Sequence, residues 1–350
     1  MKKYLVDIYL ANNLGDDMFL DHLANSFPNI QFIPFYPGKK YDAFFCNYFN
    51  VKKFPYTFSD KILAKLGVKN KLTDYDLIAN EYDGLLFLGG GIFREENYWK
   101  TVFKYRNEIS DAFLNKSKQV SFIGCNFGPY RTKEFEKTYK ELFVKCKSVF
   151  FRDQKSYTLF KGIPSVNFAP DILWNYKLPL VTKETKTLGI SIVNPKHKFG
   201  LEEFYDEYIA THQSLIQEYL DNDYKIKLFS FCEIEGDLLV CKEISSVFKQ
   251  KIEIFNYSSN IQEFLQEIGS CTEIIAARFH AVIIAMKFKM PILPIIYGDK
   301  TRNLLEDLKF ENLSIEFEDL KDLKKIDVGG YVYPNIDDFV IHSKKHFDSL

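Results

Sequence analysis

The sequence predicts an α/β protein of two domains, each a parallel sheet wound with helices. Three observations carry this prediction. Short apolar runs alternate with stretches of helical period nearly throughout, the order that builds parallel sheets. The 350 residues suit two domains at about 150 residues each. A polar stretch over 177–186, containing Pro and lacking a helical period, separates the first run of alternation from the second. The expected domains are 1–178 and 179–312, with a tail over 313–350 that packs back on the first.

Taken in order, the first half reads as strands over 4–10, 29–33, 84–88, 120–123, 148–152 and 165–169. Helices are expected between them over 16–27, 59–66, 95–114, 132–146 and 154–160. The aromatic stretch 35–58 has no regular period and takes no element. After the linker come strand 188–193, helix 201–220, strand 225–231, helix 236–248 and strand 252–255. Helix 261–268, strand 273–277, helix 281–288, strand 292–296 and helix 299–308 complete the alternation. The helix from 201 is supported by Leu201, Phe204, Tyr205, Tyr208, Ile209, Leu215, Ile216 and Tyr219, which form one apolar stripe.

Composition excludes several classes. With 46% hydrophobic and 27% charged residues, the chain is neither disordered nor fibrous. Lys plus Arg is 46 and Asp plus Glu is 47, so no global field draws it to nucleic acid. The six cysteines show no C-x-x-C pair and read as reduced core thiols of a cytoplasmic protein. The N-terminus, with Asp7 inside its apolar run, reads as a strand and not as a signal peptide. The most apolar window, 274–297, is interrupted by Arg278, His280, Lys287, Lys289 and two prolines, so it does not span a bilayer. No histidine spacing argues for a metal.

Only six of the 46 cations are arginine: Arg94, Arg106, Arg131, Arg152, Arg278 and Arg302. Arg supplies a planar, permanently charged fork suited to carboxylate or phosphate, so its rarity makes each position informative. Four of the six fall at or just beyond expected strand ends, where doubly wound sheets bind ligands. Arg106 and Arg302 lie in helical stretches.

Four strand ends look chemical. The first is Asn12-Asn13-Leu14-Gly15-Asp16-Asp17, either a βα turn with Asp16 as helix cap or a cleft-facing loop with Asn13. The second, Gly89-Gly90-Gly91 followed by Arg94, permits close backbone approach by a ligand or by another loop. It matches no dinucleotide or P-loop fingerprint. The third is Gly124-Cys125-Asn126-Phe127-Gly128-Pro129 with Arg131, joined by Arg152-Asp153 and Ser156 further on. There Arg152 either meets a ligand or pairs with Asp171 to brace the sheet. In the fourth, Arg278 and His280 point to one side of an extended segment at a helix N-terminus, a natural phosphate or carboxylate site. Histidine ionises near neutrality, which suits His280 to donate to an anion as imidazolium or to act as a general acid. Tyr297 and Lys300 follow the next strand, Lys300 being either a second cation of this site or a solvated turn lysine.

In that order and spacing, these motifs resemble the polysaccharide pyruvyltransferase family, over nearly all of the chain to about Phe310. The resemblance implies two Rossmann-like domains with sheets facing a central cleft, as in GT-B-type glycosyltransferases. It also implies transfer of a pyruvyl group from phosphoenolpyruvate to sugar hydroxyls as a ketal, in surface-polysaccharide biosynthesis, with no cofactor. The catalytic candidates are then His280, with Asp16 or Asp171 as base. Arg278, Arg152, Lys300, Asn13, Gly89, Gly90, Gly91, Arg94, Asn126, Gly128, Arg131 and Tyr297 would bind substrate. A glycan or lipid-linked oligosaccharide is the expected acceptor, with peripheral contact at the inner membrane face and self-association as further expectations. No hydrophobic anchor in the sequence announces such a contact. The rival readings are a nucleotide-sugar-dependent glycosyltransferase and a non-catalytic glycan-binding protein on the same fold.

Overall fold

The computed structural model describes residues 1–249, 252–348 and 350. The chain divides into two compact units. One comprises Met1–Leu10, Phe19–Ile172 and Ile341–Leu350; the other comprises Ala11–Met18 and Leu173–Val340. The tail expected from 313 therefore divides near residue 340, and the turn after the first strand counts with the second unit. Local chemistry explains both assignments. Phe317, Leu320, Leu323 and Ile326 are buried in the second core, whereas the ring of His346 lies 2.8 Å from the Pro170 carbonyl oxygen in the first unit.

The first unit contains β1 (Lys2–Ile8), α1 (Leu14–Ser26, whose first residues count with the second unit), β2 (Ile30–Pro34), α2 (Asp42–Phe45), α3 (Phe58–Lys65) and α4 (Tyr75–Glu81). There follow β3 (Gly84–Leu88), α5 (Trp99–Leu114), β4 (Gln119–Cys125), α6 (Lys133–Lys145), β5 (Ser148–Phe151), α7 (Gln154–Phe160) and β6 (Val166–Phe168). The strands order β2-β1-β3-β4-β5-β6, all parallel. The order reverses between β1 and β3, the place where such sheets open a crevice for ligands. Helix α5 starts at Trp99 and not at 95, because Glu95 is used elsewhere. Its carboxylate accepts from the Thr132 amide (2.8 Å) and hydroxyl (2.5 Å) and so ties down the start of α6.

The second unit contains β7 (Thr187–Ile192), α8 (Tyr205–Asp221), β8 (Lys225–Ser230), α9 (Asp237–Ser245), β9 (Glu253–Asn256) and α10 (Ile261–Ser270). It continues with β10 (Glu273–Ala276), α11 (Phe279–Lys287), β11 (Ile292–Ile296), α12 (Asp299–Asp307), β12 (Ile315–Glu316) and α13 (Asp337–His342). Its strands order β12-β11-β10-β7-β8-β9, again parallel, with the reversal between β7 and β10. The α8 stripe is buried as its period requires, but residues 202–204 form a separate 3-10 turn before it. Helix α4 and strand β12 carry no strong period and were not expected. Among the described residues, no helix is long and apolar enough to cross a membrane.

Candidate functional site

In the first unit, the Gly-rich ends of β3 and β4 are stitched together. The Asn126 amide donates to the Gly90 carbonyl (2.7 Å) and the Gly128 amide to the Phe93 carbonyl (2.7 Å). Arg152 follows β5 and is held by its own amide on the Cys125 carbonyl. Its Nη1 donates to Asp171 at 2.6 Å, both side chains being almost wholly buried. Its Nε donates to the Asn126 carbonyl oxygen at 2.5 Å, and the amide nitrogen of Asn126 donates to Asp153. Asp153 in turn caps α7, accepting from the Ser156 amide and hydroxyl at 2.8 Å each. The pairing of Arg152 with Asp171 weighed from sequence is therefore present.

Gly90 fits this corner because it lacks a side chain. A Cβ there would stand 2.3 Å from Nη2 of Arg152. Gly89, buried at φ 148°, takes a backbone conformation that favours glycine. Gly91 is exposed, as are Arg94, which pairs with Glu96 at 3.3 Å, and Arg131. The structure thus brings together Asn126, Arg152, Asp171, Gly89 and Gly90, with Gly128 close by on the same loop. Arg94 and Arg131 stand at the surface.

The second unit assembles the sharper cluster, at the reversal between β7 and β10. Arg278 lies two residues past β10 and is the N-cap residue of α11, its amide donating to the Ser191 hydroxyl on β7 at 3.1 Å. The helix starts at Phe279 and not at 281, so His280 stands in its first turn and not beside Arg278 in an extended segment. Arg278 is 5% exposed, and its guanidinium faces two acids that follow β8. Nε donates to Asp237 Oδ2 at 2.9 Å, Nη2 donates to the other oxygen of Asp237, and Nη1 donates to Glu235 at 2.7 Å. The fork expected to grip a substrate anion is therefore engaged by carboxylates. Glu235 also accepts from Lys198. Burial would raise the Glu235 carboxyl, but Arg278 and Lys198 outweigh it and hold the pKa well below the usual carboxylate range. For Asp237, burial wins over Arg278 and the pKa is raised. Gly236, at φ +81°, joins the two acids, and a Cβ there would collide with the Asn194 side chain at 2.4 Å.

Two lysines of this region, one of them bonded to Glu235, also approach Tyr297. Lys300 Nζ lies 5.3 Å and Lys198 Nζ 5.8 Å from the ring centre of Tyr297, which follows β11. The Tyr297 hydroxyl is buried. Burial raises its pKa, yet Lys300, Lys198 and Arg278 together lower it below the ordinary tyrosine value.

The Asn13 turn completes the cluster. Asn13 forms a β-bridge with Cys232, and the Leu14 amide donates to the Phe231 carbonyl at 3.2 Å. Asp17 accepts from the Tyr257 hydroxyl at 2.7 Å. Gly15 is packed on the His280 imidazole so closely that a Cβ would fall 1.6 Å from Nδ1. Asn13, Asp16, Arg278, His280, Tyr297 and Lys300 thus belong to one unit. Sequence reasoning missed Lys198, Glu235 and Asp237. The available signal was an acid-Gly-acid triplet after a strand, at a position matching the other strand-end glycines. Among the described residues, no three or more His, Cys, Asp or Glu side chains gather as metal ligands do.

The model of the polysaccharide pyruvyl transferase family matches residues 13–299. That span holds both clusters except Lys300, which lies one residue beyond it. The chain is similar to the amylovoran biosynthesis protein AmsJ of Erwinia amylovora, 21% identical over 287 residues, or 73% of this chain and 67% of that protein. Among solved structures, it resembles the S. aureus MnaA–UDP co-structure at a TM-score of 0.58 and 11% identity, covering 91% of this chain and 86% of that one. It resembles Anabaena Alr3699/HepE in complex with UDP and glucose at 0.57 and 11%, covering 99% and 96%. For the UDP-N-acetylglucosamine 2-epimerase of Rickettsia bellii the values are 0.56 and 13%, covering 99% and 95%. At these identities the structural likeness establishes the fold, the two-sheet α/β architecture of the GT-B kind.

Proposed function

The chain belongs to the polysaccharide pyruvyl transferase family, and on that premise we propose that it moves a pyruvyl group from phosphoenolpyruvate onto two sugar hydroxyls as a ketal. The acceptor is a glycan of a surface polysaccharide, free or lipid-linked. The observation that carries the donor assignment is the cationic surround of Tyr297, whose ring centre lies 5.3 Å from Lys300 and 5.8 Å from Lys198 and whose pKa is lowered by Lys300, Lys198 and Arg278 against the effect of burial. Phosphoenolpyruvate presents a phosphate and a carboxylate, and one of these groups meets Lys300, Lys198 and Tyr297. Arg278 supports them from behind, its charge already balanced by Asp237 and Glu235.

In this reading, His280 protonates the methylene carbon and leaves an oxocarbenium-like centre at C2. The first sugar hydroxyl adds there and loses its proton to a carboxylate. Asp16 suits that role better than Asp171, which is 1% exposed and committed to Arg152. The C2–O bond to phosphate then breaks, the electron pair leaving with the phosphate, and the second hydroxyl closes the ketal. The last proton goes to the departing phosphate. Fixed cations beside that group supply electrostatic stabilisation in a site prepared before the substrate arrives.

The test is phosphate release from phosphoenolpyruvate over a panel of glycan acceptors, with mass spectrometry of the product. K300A and Y297F should each raise KM for phosphoenolpyruvate by about tenfold or more, with a smaller change in kcat. Thermal stabilisation by UDP and none by phosphoenolpyruvate would overturn the assignment in favour of a nucleotide-sugar-dependent glycosyltransferase.

A further inference from the structure

Helix α3 is a well-formed helix with its apolar side in water. Thr57 caps its N-terminus in a capping box with Asp60, whose carboxylate accepts from the Thr57 amide at 2.6 Å and hydroxyl at 2.7 Å. At the other end, Gly67 takes φ +71°. The Gly67 amide donates to the Ala64 carbonyl (3.1 Å) and the Val68 amide to that of Leu63 (2.9 Å), the paired bonds of a Schellman motif. Both ends are thus closed by hydrogen bonds that do not involve its apolar stripe.

That stripe is Phe58, Ile62 and Leu66, four residues apart and so on one side. They are 78%, 45% and 70% exposed, and Val68 beyond the turn is 48% exposed. Asp60 and Ala64 lie on the opposite side, with Asp60 buried. Residues 52–71 contain six lysines and one acid, the buried Asp60. Lys53 is paired with Asp42, while Lys52, Lys65, Lys69 and Lys71 are exposed and Lys61 half-exposed beside the stripe. This local excess of positive charge stands out in a chain whose net charge is -1.

We propose that α3 and the turn after it are a docking surface for an anionic lipid bilayer. Phe58, Ile62, Leu66 and Val68 enter the headgroup boundary, and Lys52, Lys61, Lys65, Lys69 and Lys71 meet lipid phosphates. An apolar stripe bordered by lysines is what an interfacial helix needs. The charge selects this occupant: a second copy of the chain would bring the same lysines to the interface, and like charges would face each other. The contact keeps a lipid-linked acceptor near the enzyme. It does not depend on the donor assignment, so vesicle binding and phosphate release succeed or fail separately.

The test is co-sedimentation of the full chain with phosphatidylglycerol-containing vesicles and with pure phosphatidylcholine vesicles. Binding should require phosphatidylglycerol and weaken with salt. F58S/L66S should reduce partitioning by about tenfold or more, as should K61E/K65E/K69E, with unchanged circular dichroism and melting temperature. Failure to bind phosphatidylglycerol vesicles overturns the proposal, and so does binding that both variants retain. A concentration-dependent dimer, lost in F58S/L66S without any vesicle binding, would assign the stripe to self-association instead.

Discussion

Removing the Arg278 guanidinium leaves Asp237 buried and Glu235 half-buried without their shared partner. R278A should therefore lose about 3–5 kcal/mol of stability, read by urea denaturation, because breaking a buried ion pair leaves uncompensated charge. Gly15 offers the complementary case. Its backbone is ordinary helix, so alanine is permitted there except for the His280 ring beside it. G15A must push the His280 ring aside, and kcat for pyruvyl transfer should fall at least about tenfold, since a small displacement of an acid from its target is costly. Unchanged kcat would show that His280 is not the proton donor. The scarcity of arginine was legible as a signal of special positions, and both Arg152 and Arg278 are buried in networks. What they bind was not legible, because Asp237 precedes Arg278 by 41 residues and only the strand order brings them together.

Among elements, α8 shows how a period decides a helix while saying little about its polar members. Its buried face also holds His212, with Nδ1 2.8 Å from the Tyr208 carbonyl oxygen and Nε2 without a hydrogen-bond partner among the described residues. Burial lowers the His212 pKa from 6.5 to about 4, and His346 is lowered by burial to about 4 as well. The folded chain thus binds fewer protons than the unfolded chain between these values. Stability is full above pH 6.5 and falls as pH drops towards 4, by on the order of 3 kcal/mol per histidine. Melting temperatures across this range should show the slope, and H212Q should flatten it. Helix α3 adds a second lesson. Its presence is expected over 59–66, but the Thr57 cap and Phe58 fall in the stretch that takes no element, and only the fold shows Phe58, Ile62 and Leu66 exposed.

For the molecule as a whole, near-balance of charge coexists with strong local fields. The net charge of -1 and an isoelectric point near 6.6 should give a solubility minimum near that pH, measured by precipitation across pH 5–9. A minimum far from it would mean that ionisation in the folded chain departs widely from its composition. Neither the cationic surround of Tyr297 nor the lysines around α3 could be inferred from the net charge, which averages over them.

The sequence by itself determined the alternation of strands and helices, the break near 177–186 and the strand ends worth inspecting, because periods of 2 and 3.6 and glycine-rich turns are local properties. Tertiary structure decided the partners. Parallel crossovers bring the ends of β7, β8, β10 and β11 side by side, and this is what sets Glu235 and Asp237 on Arg278 and Lys198 near Tyr297. The same assembly packs the Asn13 turn against Cys232 and Gly15 on His280, although that turn lies more than 200 residues earlier in the chain. Contacts over such separations depend on strand order, which no short window of sequence encodes.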